Sequence, residues 1–327
     1  MSRVFIRGTS IRPSYPPSAT RSHKGHFDAQ LTLGVRVDSK YLGAEAVARL
    51  PGRPTARGAR THHLGARTHH LSDSSPVGRE HMTQTLGLIG SGMIGGTLAR
   101  FAVGAGWNVV VSNSRGPETL GELVAELGER AKAATPAEAA ASGDLVVVSI
   151  PLFAYTQLPR AELAGKVVID TLNYYPDRDG RLPELDSDEL TSSELLQRHL
   201  TGARVVKAFN NITAPHLSSL ARPSGAPDRS ALPIAGDDAA AKKEAAALLD
   251  ALGYDAVDIG DLTESWRSSP NTALYCLPYG GEAPSGMSPQ ELLRWFLETP
   301  GAPLPAHRVR QLADEAVRGP AGGALVD

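Results

Sequence analysis

Only one cysteine, Cys276, occurs in the 327 residues, which excludes a disulfide framework and any metal site built on cysteine. There is no run of about 18 or more apolar residues, so the sequence offers no membrane-spanning helix, and a soluble, reducing, cytoplasmic setting is expected. Acidic residues are scarce in residues 1–81, a segment that holds 13 of the 33 lysines and arginines and seven of the ten histidines. The rest of the chain is correspondingly acidic, which argues against nucleic acid as its partner.

The leading segment carries a tandem heptapeptide, GARTHHL at residues 58–64 and again at 65–71. The repeat has neither helical nor strand periodicity, and its Pro, Ser, Gly and Arg surroundings cannot bury a core. A nucleic-acid or metal-binding arm would use the arginines and paired histidines. A targeting peptide would suit the composition, but the apolar core and small-residue cleavage site of a signal peptide are lacking. The plainest expectation is a disordered basic extension over residues 1–81, with Met82 a natural start just ahead of the first strand.

What the chain does have is concentrated in residues 85–115, TLGLIGSGMIGGTLARFAVGAGWNVVVSNSR. Leu86, Leu88 and Ile89 make a short uncharged run that suits a parallel strand covered on both faces. Gly90, Gly92 and Gly95 follow at the spacing G-x-G-x-x-G. The first glycine permits a tight turn, the second lets a pyrophosphate approach the backbone, and the third lets the helix sit close on the strand. That helix points its free N–H groups and positive dipole end at the pyrophosphate. Glycines alone are weak evidence. Here a helical run over 97–103 and a second strand over 109–111 complete a βαβ unit, so the stretch reads as a dinucleotide site.

A carboxylate is also missing where it would matter. About twenty residues past such a turn, NAD-preferring sites place Asp or Glu on the ribose 2′-hydroxyl, whereas this chain reads Ser112, Asn113, Ser114, Arg115. Hydroxyls and a guanidinium suit a 2′-phosphate, so NADP is expected over NAD. The plain alternative makes Arg115 a solvated turn residue before Gly116 and Pro117.

Beyond Arg115, strand and helix patterns alternate. Residues 117–127 and 136–141 read as helices, and 144–151 as a buried strand ending at Ser149, Ile150 and Pro151. Further strands are expected over 166–170, 204–209, 231–235 and 255–259, with helices over 194–199 and 239–252, the latter N-capped by the Asp237–Asp238 pair. Six to eight parallel strands with interleaved helices mean a Rossmann-type, doubly wound, mostly parallel α/β sheet over residues 82–262. Ligands in such sheets bind outside the carboxyl ends of the strands. Residues 263–327 are expected to form a small C-terminal cap, with a helix over 289–298 and a frayed tail after Gly319.

The glycine turn followed by SNSRGPETL, the strand ending VSIP, the strand RVVKAFNNI and the PIAGDD-helix-strand unit occur in that order over residues 85–262. Together they resemble the NADP oxidoreductase, coenzyme F420-dependent, family of NADPH-dependent deazaflavin reductases, related to the reductase domain of ferric-reducing membrane proteins. The resemblance implies NADP(H) on the glycine-rich face, coenzyme F420 as co-substrate in the cleft, hydride transfer between them, and a homodimer. Carried onto this chain, it implies that Gly90, Ser91, Gly92, Met93, Ile94 and Gly95 hold the pyrophosphate and that Asn113, Ser114 and Arg115 take the ribose-phosphate end. Ser149, Ile150 and Pro151 would pack at the nicotinamide, and Ala208 near the stacked rings. Where the family often has a further basic residue, this chain has Gly116, Pro117 and Glu118.

No catalytic side chain and no metal are expected, because hydride passes directly between two flat rings that the protein holds together and keeps dry. Ile150, Pro151, Ala208 and Phe209 suit that task. Asn210 and Asn211, at a strand end inside the expected cleft, are candidates for binding the substrate, and equally ordinary turn formers. Lys207, His199, His216 and Arg267 read as structural or surface groups, and Cys276 as a buried apolar thiol. Two other functions fit the same fold: an NADPH-dependent reductase of another small acceptor such as a flavin, imine or carbonyl compound, and a non-catalytic NADPH-sensing module.

Overall fold

A computed structural model of the protein describes residues 84–321. The basic extension and the last residues of the tail, 322–327, lie outside the described residues, and so do the expectations made for them. The first half runs β1 (Thr85–Ile89), α1 (Met93–Gly104), β2 (Asn108–Ser112), α2 (Gly121–Leu127), β3 (Ala131–Ala133), α3 (Pro136–Ser142) and β4 (Leu145–Val148). It continues through α4 (Arg160–Leu163), β5 (Val167–Asp170), the single turns α5 (Pro176–Asp179) and α6 (Pro183–Asp186), α7 (Ser192–His199), β6 (Arg204–Lys207) and α8 (Ala214–Ser219). β7 (Ala231–Gly236), α9 (Ala239–Ala251), β8 (Asp255–Asp258), α10 (Pro289–Glu298) and α11 (Ala306–Asp314) follow.

All eight strands join one sheet in the order β3-β2-β1-β4-β5-β6-β7-β8. The pairs from β3 across to β6 are parallel, and the strand order reverses between β1 and β4. That switch point opens a crevice at the carboxyl ends of the two strands. The doubly wound α/β sheet expected from the sequence is therefore present, with one difference. β7 meets β6 antiparallel, Lys207 opposite Ala235, and β8 runs parallel to β7. The chain does not cross back between β6 and β7: Asn211, just past β6, donates to the Tyr279 hydroxyl, which in turn donates to the carbonyl of Ala231 at the start of β7. The carboxyl ends of β7 and β8 thus point away from the crevice.

The period-two alternation of the strands divides the core into two layers. Leu86, Leu88, Val109, Val111, Leu145, Val147, Val167 and Ile169 face one side, and Ile89, Val146, Val148, Val168 and Val205 the other. Each side chain so buried contributes about 1.5–3 kcal/mol. On α9, Ala241, Ala245, Leu248 and Leu249 recur at helical spacing and are buried, while Asp238 caps the helix by accepting from the Ala241 amide at 2.7 Å. α2 is shorter than expected, because Pro117–Leu120 forms a 3₁₀ turn before the helix proper. β3, α4, α5, α6, α8 and α11 are additions to the expected elements.

The C-terminal segment shares the main core. Leu274, Tyr279, Leu304, Val309, Leu312 and Ala313 pack with the strand residues, and the Ala231 amide donates to the Leu304 carbonyl at 2.8 Å. Among the described residues, no helix is long and apolar enough to cross a membrane, and no group of His, Cys, Asp and Glu is arranged to hold a metal ion.

Candidate functional site

The three glycines of the turn have three separate steric reasons. Gly90 adopts φ +105°, and a Cβ there would stand 2.1 Å from the Ser149 carbonyl oxygen, where the ends of β1 and β4 touch. A Cβ on Gly95 would stand 2.0 Å from the Gly90 carbonyl oxygen and 3.2 Å from Leu88, so only glycine lets α1 lie this close to β1. Gly92 is the reverse case: nothing lies within 4 Å of its missing Cβ. It is the N-cap of α1, no side chain caps that end, and the first turn holds no acidic residue. The N–H groups of that turn and the open face over Gly92 are what a pyrophosphate needs. Around the turn, Ser91 is half-buried, Met93 is 56% exposed, and Ile94 packs partly against the core.

Beside this turn lies a cleft of about 320 Å³. Gly90, Asn113, Ser114 and Ile150 meet there. They are joined by Gly116, Pro117, Thr135, Pro136, Ala154, Gln157 and Leu158, which sequence reasoning did not single out. Thr135 and Pro136 begin α3 through a capping box with Glu138, and the sheet order brings the start of that helix to the crevice. The capping signal was legible in the sequence; its arrival at the ligand required the topology.

The loop after β2 is closed by its own hydrogen bonds. Asn113 Nδ2 donates to Thr119 Oγ1 at 2.8 Å, Thr119 Oγ1 donates to the Gly116 carbonyl at 2.8 Å, and the Arg115 amide donates to Asn113 Oδ1 at 2.9 Å. Gly116 takes φ +103° at the bend. Ser114 and Arg115 are left exposed, and no side chain among the described residues pairs with Arg115. The Glu118 carboxylate folds back against Gly116, so that a Cβ there would meet it at 2.4 Å.

At the end of β4, Ser149 and Ile150 are half-buried, Pro151 is exposed, and Phe153 is 53% exposed. The other residues expected around a second ring are buried. Ala208 is fully buried, with its amide on the Asp170 carbonyl. Asn210 is 4% exposed; its Nδ2 donates to Asn173 Oδ1 and to the Ser268 carbonyl, and its Oδ1 accepts from Ser268 Oγ. Asn211 is fully buried and donates to the Leu274 carbonyl and the Tyr279 hydroxyl. Ala208, Asn210 and Asn211 are thus buried, with hydrogen-bond partners inside the chain. The backbone turns at Phe209 with φ +60°, the C-terminal segment folds over the end of β6, and both asparagines tie it down.

Lys207 also has a defined role. Its Nζ lies 2.9 Å from Asp170 Oδ2 and 2.5 Å from the Leu172 carbonyl, and Ser193 Oγ donates to the same carboxylate oxygen at 2.8 Å. Burial pushes the Lys207 ammonium below its ordinary range, against the pull of Asp170. Nearby, the phenols of Tyr175 and Tyr275 share a hydrogen bond, and burial pushes Tyr175 up to about 12. Burial likewise raises the Cys276 thiol to about 12, so it remains protonated at neutral pH.

Residues 85–174, which span this turn and the ends of β2 and β4, match the NADP oxidoreductase, coenzyme F420-dependent, family. The rat metalloreductase STEAP3 (Rattus norvegicus) is 32% identical over 182 residues, 55% of this chain and 34% of that protein, so the chain spans about a third of this curated relative. Among solved structures, the Sinorhizobium meliloti protein SMa0349 is 29% identical, with a TM-score of 0.52 over 61% of this chain and 96% of that one. A provisionally described F420-dependent NADP reductase from Arthrobacter sp. FB24 is 29% identical, with a TM-score of 0.48 over 56% of this chain and 87% of that one. The match to the NADP oxidoreductase, coenzyme F420-dependent, family thus falls on the dinucleotide-binding portion of the chain, residues 85–174.

Proposed function

We propose that the protein transfers a hydride between NADPH and the deazaflavin coenzyme F420. One observation carries this reading: the stretch that matches the family contains both an open glycine cradle and an apolar, partly exposed strand end, Ile150 and Pro151, on the adjacent strand. The residues present fit a dinucleotide. Open space over Gly92 admits a phosphate, and the cleft lined by Asn113, Ser114 and Thr135 admits the nucleoside end. When bound, NADPH supplies a hydride and the deazaflavin accepts it at a ring carbon.

The chain's part is to bind, orient and exclude water. The amides at the start of α1 would hold the pyrophosphate, and Ser114 and Arg115 the 2′-phosphate. Ile150, Pro151 and Phe153 would give the nicotinamide an apolar wall. Orientation of this kind supplies about 7–11 kcal/mol of barrier lowering without an acid or base. The test is to mix the purified protein with NADPH and oxidised F420 and follow the deazaflavin absorbance. Bleaching that depends on the protein supports the reading; turnover of a flavin with none of F420 overturns it. A second acceptor is worth testing because the rat relative is named for a metal acceptor rather than a deazaflavin.

A further inference from the structure

We infer that Thr119, a residue outside the cleft lining, is a positioning residue that sets the preference for the 2′-phosphorylated dinucleotide. The inference rests on the reading that the loop after β2 receives that phosphate. Thr119 Oγ1 accepts from Asn113 Nδ2 and donates to the Gly116 carbonyl, both at 2.8 Å, and Asn113 Oδ1 accepts from the Arg115 amide at 2.9 Å. Three bonds through one hydroxyl and one amide therefore close the loop on itself. Asn113, Ser114 and Gly116 line the cleft, whereas Arg115 beside them is exposed, and no side chain among the described residues holds it.

An exposed guanidinium on a glycine-containing loop otherwise samples many positions, and binding would have to order it. The Asn113–Thr119 brace does part of that ordering beforehand. It fixes the backbone on both sides of Ser114 and Arg115 and holds Gly116 in its positive-φ conformation. It also works against a local repulsion, since the Glu118 carboxylate rests against Gly116 and any shift of the loop changes how near it stands to an incoming phosphate. Without the Thr119 hydroxyl, the Asn113 amide loses its partner and the Gly116 carbonyl keeps only the Thr119 backbone N–H at 3.1 Å. Thr119 itself stands outside the cleft lining, so the loss is expected to fall chiefly on the 2′-phosphate end.

The experiment compares the full chain with Thr119→Val, Thr119→Ser and Arg115→Ala. It reads dissociation constants for NADPH and NADH, and for 2′,5′-ADP and 5′-AMP as probes of the nucleoside end alone. Thr119→Val is expected to weaken NADPH and 2′,5′-ADP by about tenfold, the worth of one or two net hydrogen bonds. NADH and 5′-AMP should change by less than about twofold, and Thr119→Ser should restore the preference. Equal losses for the phosphorylated and plain ligands, or no loss, overturn the inference if Arg115→Ala still discriminates between them. If Arg115→Ala does not discriminate, the loop does not read the phosphate, and the reading beneath the inference fails with it. Because the readout is a ratio, general loosening of the fold does not imitate it.

Discussion

Asp170 and Lys207 stand opposite each other at the carboxyl ends of β5 and β6, 2.9 Å apart, with neither side chain more than 1% exposed. Every partner they have is internal. The pair locks two central strands just where the chain turns toward the cleft. Removing one member leaves the other charge buried and unpaired, so Lys207→Met should cost about 3–5 kcal/mol, whereas the double change Lys207→Met with Asp170→Leu should recover much of it. Urea unfolding of the three chains checks this; a double variant no better than the single would show that the cost lies in packing rather than charge.

The glycines of the turn should separate stability from binding. Gly95→Ala forces a Cβ to within 2.0 Å of the Gly90 carbonyl oxygen and should destabilise by about 1–3 kcal/mol. Gly92→Ala meets nothing within 4 Å and should change stability by less than about 1 kcal/mol. Its methyl nevertheless stands where a phosphate approaches, so NADPH should bind about tenfold more weakly, the worth of a charge-assisted hydrogen bond. Thermal melts and fluorescence titration with NADPH measure the two effects on the same samples.

Asn210 allows a structural role to be separated from a role in binding substrate. Asn210→Ala strips partners from the Ser268 carbonyl and hydroxyl and from Asn173, which should lower stability by about 1–3 kcal/mol. The KM for the acceptor should not move. A raised KM with an unchanged melting temperature would return Asn210 to the substrate.

Stability should fall on acidification because of two histidines. His216 is fully buried with Nδ1 on Thr213 Oγ1, and burial holds its imidazole below the ordinary 6.5 against the opposing pull of the Thr299 and Phe296 backbone. His199 is lowered by burial, with Arg160 adding to the effect. A base whose folded value lies below its unfolded one binds its proton more readily in the unfolded chain. Stability is therefore full above about pH 6.5 and is lost as the pH drops toward the folded values. Melting temperature followed from about pH 7.5 to pH 5 should decline, and His216→Gln should flatten part of the slope; an unchanged slope would assign the effect elsewhere.

Much of the dinucleotide half was readable because its signals are local. Three glycines, the strand before them and the Ser-Arg pair after β2 all lie within about one βαβ unit, and two of the glycines, Gly90 and Gly95, each face a nearby backbone carbonyl. The burial of Asn210 and Asn211 was not readable in this way, because it depends on where Ser268, Leu274 and Tyr279 return in space. The reversal at β7 has the same character: the residues of Ala231–Gly236 alternate no differently for pointing the other way. β3 is three residues, Ala-Lys-Ala, with no β-branched side chain to announce it, and pairing along β2 alone makes it a strand.

The bare amino end of α1 would make a bound dinucleotide the cap of that helix. With Gly92 as N-cap and no side chain completing the first turn, that turn is held only from its own C-terminal side. A bound anion would supply the missing cap, so the amides at Met93, Ile94 and Gly95 should exchange their hydrogens at a rate set by ligand occupancy, while those of the strand cores follow global unfolding. Resistance to proteolysis at this turn should then rise with the concentration of the dinucleotide.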